Sequence, residues 1–353
     1  MKYRIIDLFC GIGGFSYGFE MTRKFETILG VDFWDVALST FSRNHPKTNV
    51  VQGDVTKLEN SFFEEYAGKA DVVIAGPPCQ GFSMSGKRDV FDVRNSLFHE
   101  VVRIVSVVQP KVVVIENVVG LLSMVTPDGK AVKDEIENDL RALGYEVQHK
   151  VLLASDYGVP QNRKRVIFIA SKKSNIVYPL PTVEKPVTVG DALGNIPENE
   201  KLYTVPQNEY QKMMSGRPDI LNHNPIKHAS LIVKRMHSVP QGGNWQDIPL
   251  ELGQGGGVHS NNYRRLKWDE PSITIKHVSK SMIIHPIFDR TPTIREVARI
   301  QSFDDNFEIL GTIYNQHQQL ANAVPPLLGK AIADSVYKML KDDGTEEELL
   351  KNL

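Results

Sequence analysis

Up to about residue 170 the chain alternates short β-branched runs with segments of helical periodicity, and few folds accommodate that pattern. YRIIDLF, FETILGVD, ADVVIAGPP, PKVVVIEN and RVIFIA lack the polar alternation of a half-exposed strand, so both faces of each strand must be covered. Between them, VALSTFSRNHP and NSLFHEVVRIVSVVQ carry apolar residues at helical spacing, and AVKDEIENDLRALG ends on Gly144, where a helix C-terminal cap belongs. The pattern predicts an α/β, doubly wound, Rossmann-like domain whose parallel sheet has helices on both faces.

Beyond that point proline, glycine and asparagine punctuate the sequence, with short strands expected at SITIKHV and MIIHPIF and few long helices. TIREVARIQSF and the stretch from Gln316 to Leu340 are helical again. The expected division is 1–172 for a first domain, 173–285 for a smaller, loop-rich second domain, 286–340 for helices returning to the first, and 341–353 for a charged tail. A length of 353 residues with 41% hydrophobic content suits two such cores. Net charge is −1, yet residues 151–290 carry 18 Lys and Arg against 12 Asp and Glu, and six of the ten histidines. A basic centre between acidic flanks is compatible with an anionic partner. Two cysteines cannot form a disulfide framework, and no run approaches the ~20 apolar residues of a membrane helix, so a cytoplasmic protein without membrane association is expected.

The first strand ends in DLFCGIGGFSYG. Gly11, Gly13 and Gly14 at a strand-to-helix turn let a ligand approach the backbone where doubly wound sheets bind nucleotides. Asp32 ends the second strand, where an acid meets ribose hydroxyls, and Asp54 follows a third, weaker strand; either could instead be an N-cap. A dinucleotide fingerprint would want glycine at Ser16, so NAD fits less well than S-adenosylmethionine, which has no pyrophosphate. Cys79 follows the fourth strand at the same carboxyl edge, between two prolines and a polar loop, whereas Cys10 reads as a small buried hydrophobe. Glu116, in IENVVG, reaches that edge too, in an apolar setting. In QNRKRVIFIA, Arg163 and Arg165 are expected on one face of a strand.

DLFCGIGGF, GPPCQGFS, ENV, QNRKR, RTPTIREVARIQSF and QQLANAVPPLLG together, in this order and over nearly the whole chain, resemble the DNA cytosine-5 methyltransferases. The resemblance implies an S-adenosylmethionine-dependent domain in which Cys79 is the nucleophile, Glu116 binds cytosine N3, and Arg163 and Arg165 support it. It further implies that Phe9, Asp32, Phe33, Asp54 and Leu97 line the adenosine pocket, with the glycine turn and Pro78 beside them, and that Asn322 helps close the site. Some relatives have glutamate and tryptophan where Asp32 and Phe33 stand. In the second domain, expected to read the DNA, Thr274 would support the flipped nucleotide's backbone. Arg264, Gln80 and Ser83 are further candidates for DNA contact, and Arg264 is expected to make a phosphate contact or simply face solvent. The family chemistry needs no metal.

The implied partner is double-stranded DNA. The protein is expected to act as a monomer, with a separately encoded restriction endonuclease as its counterpart. Transfer RNA is the alternative substrate; the branch that modifies it carries a Cys-Phe-Thr tripeptide, and this chain has no cysteine beyond Cys79. An NAD-dependent dehydrogenase would leave Cys79 and Glu116 unused, and a catalytically dead DNA-binding regulator would have no reason to keep them.

Overall fold

A computed structural model describes residues 2–78, 97–126, 129–173, 175–253 and 260–351, with side chains as far as residue 341. In chain order the elements are β1 (Tyr3–Leu8), α1 (Gly14–Met21), β2 (Phe25–Asp32), α2 (Asp35–Asn44), β3 (Asn49–Gln52), α3 (Asn60–Glu64), β4 (Val72–Ala75), α4 (Leu97–Val108), β5 (Val112–Val118) and α5 (Val132–Ala142). They continue with β6 (Glu146–Leu153), β7 (Gln161–Asn162), β8 (Lys164–Ser171), α6 (Val189–Leu193), α7 (Glu209–Met214), α8 (Ser230–Ser238) and β9 (Ser272–Ile273). The last four are α9 (Val278–Ser281), α10 (Ile294–Ile300), α11 (Ile313–Asn322) and α12 (Pro326–Lys351). Among the described residues no helix is long and apolar enough to cross a membrane.

Seven strands form one sheet in the order β3-β2-β1-β4-β5-β8-β6. The first five are mutually parallel; β8 is antiparallel to both β5 and β6. The expected all-parallel sheet is therefore corrected at its far end, where β8 runs backwards between two neighbours. The apolar runs make a core on both faces. Ile6, Leu8, Val73, Val113 and Ile115 pack with Val101, Ile104 and Val105 of α4 and with Ile136 and Leu140 of α5. Residues of opposite parity (Ile5, Val72, Ile74, Val112, Val114) are also fully buried, which alternation along a strand requires of a sheet covered on both sides. On that side Phe19 meets Phe15 and Phe25 edge-on, and Tyr337 of α12 meets Tyr3 and Phe25.

The chain divides into two compact units. The first contains Met1–Leu153, Lys164–Pro181 and Leu328–Leu353, and the second Ala154–Arg163 and Thr182–Leu327. Residues 286–327, expected with the first domain, group with the second; only from Leu328 does the chain rejoin the sheet. The second unit is short on regular structure. The expected strand MIIHPIF contributes a single bridge, Arg265 to Ile284, because Ile283 and Ile284 are buried by packing without a ladder.

Buried arginines organise this unit. Arg299 and Asp305, both fully buried, form a fork-to-fork pair at 2.6 Å per bond, and Arg299 also donates to the Ala192 carbonyl. Arg290 pairs likewise with Glu296, which completes a capping box with Thr293 at the start of α10. Arg295 donates to the carbonyls of Leu221, Asp304 and Phe307, and Arg265 to those of Val239, Met236 and His285. These guanidinium groups donate to carbonyls that no sheet ladder takes up. Breaking a buried pair strands the remaining charge, at a cost of about 3–5 kcal/mol. Arg299→Met is therefore expected to lower the second unit's urea midpoint sharply. Fluorescence of Trp245 and Trp268, both in that unit, reports the loss.

Candidate active site

The carboxyl ends of β1, β2, β4 and β5 gather the candidate residues of the first unit. After β1, Phe9, Gly11 and Gly13 all take positive φ (58°, 54° and 83°), so the chain turns tightly before α1. Gly13 is the N-cap of α1 and has no side chain of its own to cap it; of the first-turn amides, that of Ser16 is taken by Asp7. A Cβ at Gly11 would face open space, and one at Gly13 would lie 2.8 Å from the rings of Phe41 and His45. The turn thus has an open side and a packed side.

Asp32 ends β2 and is nearly buried. Its Oδ2 accepts from the Gly11 amide at 2.8 Å and its Oδ1 from the Trp34 amide at 2.9 Å. Burial raises its pKa, and these backbone donors act against the rise. An ionised carboxylate has about four lone-pair positions, so Asp32 can hold the glycine turn and still accept from a ribose. Phe33 beside it is 69% exposed, an aromatic face without a protein partner to hide it. Asp54 caps the turn Val55–Lys57 through the Thr56 amide, as its N-cap reading anticipates. Phe9 and Leu97 are half-buried against the sheet core, and Pro78 is half-buried after β4.

Glu116 lies two residues from the end of the β5–β8 register. Because Val118 pairs with Arg165, Glu116 and Arg165 are diagonal neighbours on one face. Their side chains meet, Arg165 Nε to Glu116 Oε1 at 2.7 Å, both nearly buried. The expected apolar setting for Glu116 is corrected accordingly: an arginine faces it. Gly76, after β4, borders it: a Cβ there would stand in ordinary contact with Glu116 Oε2, at 3.7 Å. Asn117, unremarked in the sequence beyond its place in ENV, donates from Nδ2 to the Pro77 carbonyl at 3.1 Å and so ties the end of β5 to the turn leading towards Cys79. Cys79, Gln80 and Ser83 lie outside the described residues.

The two arginines of QNRKR do not share a face of one strand. Arg163 precedes β8, belongs to the second unit, is buried there, and donates to the Ala321 carbonyl at 3.1 Å. Within the same unit Thr274 donates its hydroxyl to the Asn162 carbonyl at 2.7 Å, beside the parallel pairing of β7 with β9. Asn322 is exposed at the end of α11 and accepts from Gln318. Arg264 is half-buried; its neighbour Arg265 carries the structural bonds.

Asp7, a carboxyl inside the apolar strand YRIIDLF, is a further residue of this edge that its setting in the sequence makes legible. It accepts a short hydrogen bond from Ser16 of α1. Burial pushes its pKa up to about 8; Ser16 opposes the rise and Asp32 adds to it. Cys10 is buried and its thiol is raised well above the ordinary value by burial, then by Asp7 and Asp32, in keeping with an inert thiol. An acid with a raised folded pKa binds more protons folded than unfolded between about pH 4 and pH 8, so its contribution to stability falls as pH rises through that window. Asp7→Asn is expected to flatten the decline, as measured by urea midpoints at pH 5, 6.5 and 8.

A family model described as C-5 cytosine-specific DNA methylase matches residues 3–338. The chain is 40% identical to the Type II methyltransferase M1.HphI of Haemophilus parahaemolyticus, over 96% of this chain and 88% of that protein. It is 37% identical to the Type II methyltransferase M.DdeI of Desulfomicrobium norvegicum, over 94% and 88%. Among solved structures it is similar to a putative DNA modification methyltransferase encoded within an E. coli prophage, with a TM-score of 0.78 at 26% identity, covering 96% of this chain and 100% of that one. Since the match runs through both compact units and not the sheet alone, the chain belongs to the C-5 cytosine-specific DNA methylase family.

Proposed function

We propose that the protein is a DNA (cytosine-5) methyltransferase that moves a methyl group from S-adenosylmethionine to C5 of a cytosine flipped out of double-stranded DNA. The observation that carries this reading is the Glu116–Arg165 pair, set at the same sheet edge as the glycine turn. Cytosine C5 is a poor nucleophile until a group adds at C6 while N3 is hydrogen-bonded or protonated. Arg165 occupies Oε1 of Glu116 and fixes the carboxyl plane, leaving Oε2 for N3. Cys79, three residues past Gly76, is the group that adds at C6. S-adenosylmethionine, when bound, supplies an electrophilic methyl on a sulfonium. The open side of the glycine turn, the spare lone pairs of Asp32 and the exposed ring of Phe33 fit its adenosine. After methylation a base removes the C5 proton and the Cys79 thiolate departs. Because C5 and C6 are stacked within a duplex, the base must leave the helix to react.

The second unit, which holds Thr274, Arg264 and most of the basic centre of the chain, is the part we assign to reading DNA. Its functional limits are taken as 173–285, with Arg163 and Asn322 buttressing the site. A monomer acting as the modification counterpart of a separately encoded restriction endonuclease accords with the Type II names of its relatives. Those names favour DNA over transfer RNA as substrate.

Duplex DNA with 5-fluorocytosine at the target cytosine is expected to trap a denaturation-resistant complex when S-adenosylmethionine is present, since fluorine cannot leave as a cation. The bond should map to Cys79, and Cys79→Ala should form none. Glu116→Gln is expected to lower kcat by about 10²-fold or more, the usual scale for loss of a general acid. Methyl transfer at an appreciable rate by the Cys79→Ala protein would exclude the mechanism.

A further inference from the structure

The packed side of the glycine turn is built from α2. His45 closes that helix, its amide bonded to the Phe41 carbonyl at 2.8 Å, and its side chain is fully buried. The imidazole stacks on Phe41 at 4.3 Å and 27° and meets Tyr17 of α1 edge-on at 5.9 Å. Its Nδ1 lies 2.9 Å from Oε2 of Glu20, in the last turn of α1. The other oxygen of Glu20 accepts from the Thr27 amide of β2 at 3.1 Å. One ring therefore connects α1, α2 and β2 at the place where the turn between β1 and α1 rests on it.

Two features argue that the ring is more than core packing. Nδ1 faces the Glu20 carboxylate at 2.9 Å, which leaves Nε2 as the ring's other polar atom. That Nε2 is buried without a hydrogen-bond partner, an unfavourable state that an apolar side chain would avoid. In addition, the ring is fitted to one backbone position. A Cβ at Gly13 would come within 2.8 Å of His45 Cδ2, and Gly13 holds φ +83° there. A flat five-membered ring, anchored at its far side by Glu20, lets the turn sit low; a six-membered ring in its place would press upward on Gly13. The height of Gly13 in turn sets where Gly11 and the first amides of α1 present themselves on the open side.

We infer that His45, oriented by Glu20, is a positioning residue for the cofactor: its imidazole is the floor that sets the glycine turn to receive S-adenosylmethionine. The inference rests on the reading of that turn as the cofactor site. It is tested by isothermal titration of S-adenosylmethionine into the full-length protein, His45→Asn and His45→Ala, with steady-state methyl transfer on duplex DNA beside it. Asparagine retains a donor for Glu20 near the Nδ1 position and removes the floor, which keeps the fold testable if alanine does not fold. The expected result in His45→Asn is a Kd and a KM for S-adenosylmethionine raised at least tenfold, with kcat at saturating cofactor within twofold of the parent. Added imidazole should restore the affinity of folded His45→Ala. A loss of stability alone, with Kd within twofold of the parent in His45→Asn, overturns the proposal while leaving the cofactor reading intact. Absence of S-adenosylmethionine binding by the parent protein overturns both.

Discussion

The direction of β8 is the constraint on which the candidate site depends. In a parallel sheet every strand begins at the edge opposite its carboxyl end, so a parallel β8 would open far from Glu116. Running antiparallel between β5 and β6, it begins where β5 finishes, and Arg165 arrives beside the carboxylate at the sheet's functional edge. The same reversal means that the segment entering β8, with Gln161 to Arg163, starts from that edge and belongs to the second unit. One strand's direction thus brings Arg165 beside Glu116 and carries the chain from the second unit back into the sheet.

The two units are held by different physics. The sheet is consolidated by aliphatic burial on both faces, an interaction that is non-directional and tolerates ligand approach at one edge. In the second unit, loops lack ladders to absorb their carbonyls, and four guanidinium groups take that role through directional, charge-assisted bonds. Directional bonds specify a loop's shape more narrowly than apolar contact does. A surface made of irregular backbone can then be presented in one conformation without the regularity of strands.

Much of the sheet was legible because β-branched runs with no polar alternation have few other uses. YRIIDLF, FETILGVD, ADVVIAGPP, PKVVVIEN and RVIFIA all became strands. Their direction was not legible: RVIFIA buries the same residues whichever way it runs, and only the connection decides. β6 escaped notice since EVQHKVLL alternates exposure along a sheet edge and carries charge. The glycine turn and Asp32 were readable from spacing, but the bond between them was not, since Asp32 was expected to face a ligand and it also holds Gly11. Arg163 and Arg165, two apart, suggested one face of a strand; β8 starts between them, so the periodicity of two never applied. The buried arginine pairs of RTPTIREVARIQSF were hidden because helical periodicity says nothing about which charges find partners inside.

The first unit is not contiguous in the chain, and this bears on the order in which a ribosome releases it. Its strands are finished by Ser171, yet the face formed by Tyr3, Phe15 and Phe25 is covered by α12, whose Tyr337 packs on two of those rings and whose Leu340 carbonyl receives the Tyr3 hydroxyl. The whole of residues 182–327 must emerge between the sheet and its last cover. During that interval the nascent sheet carries this aromatic face without α12 to cover it.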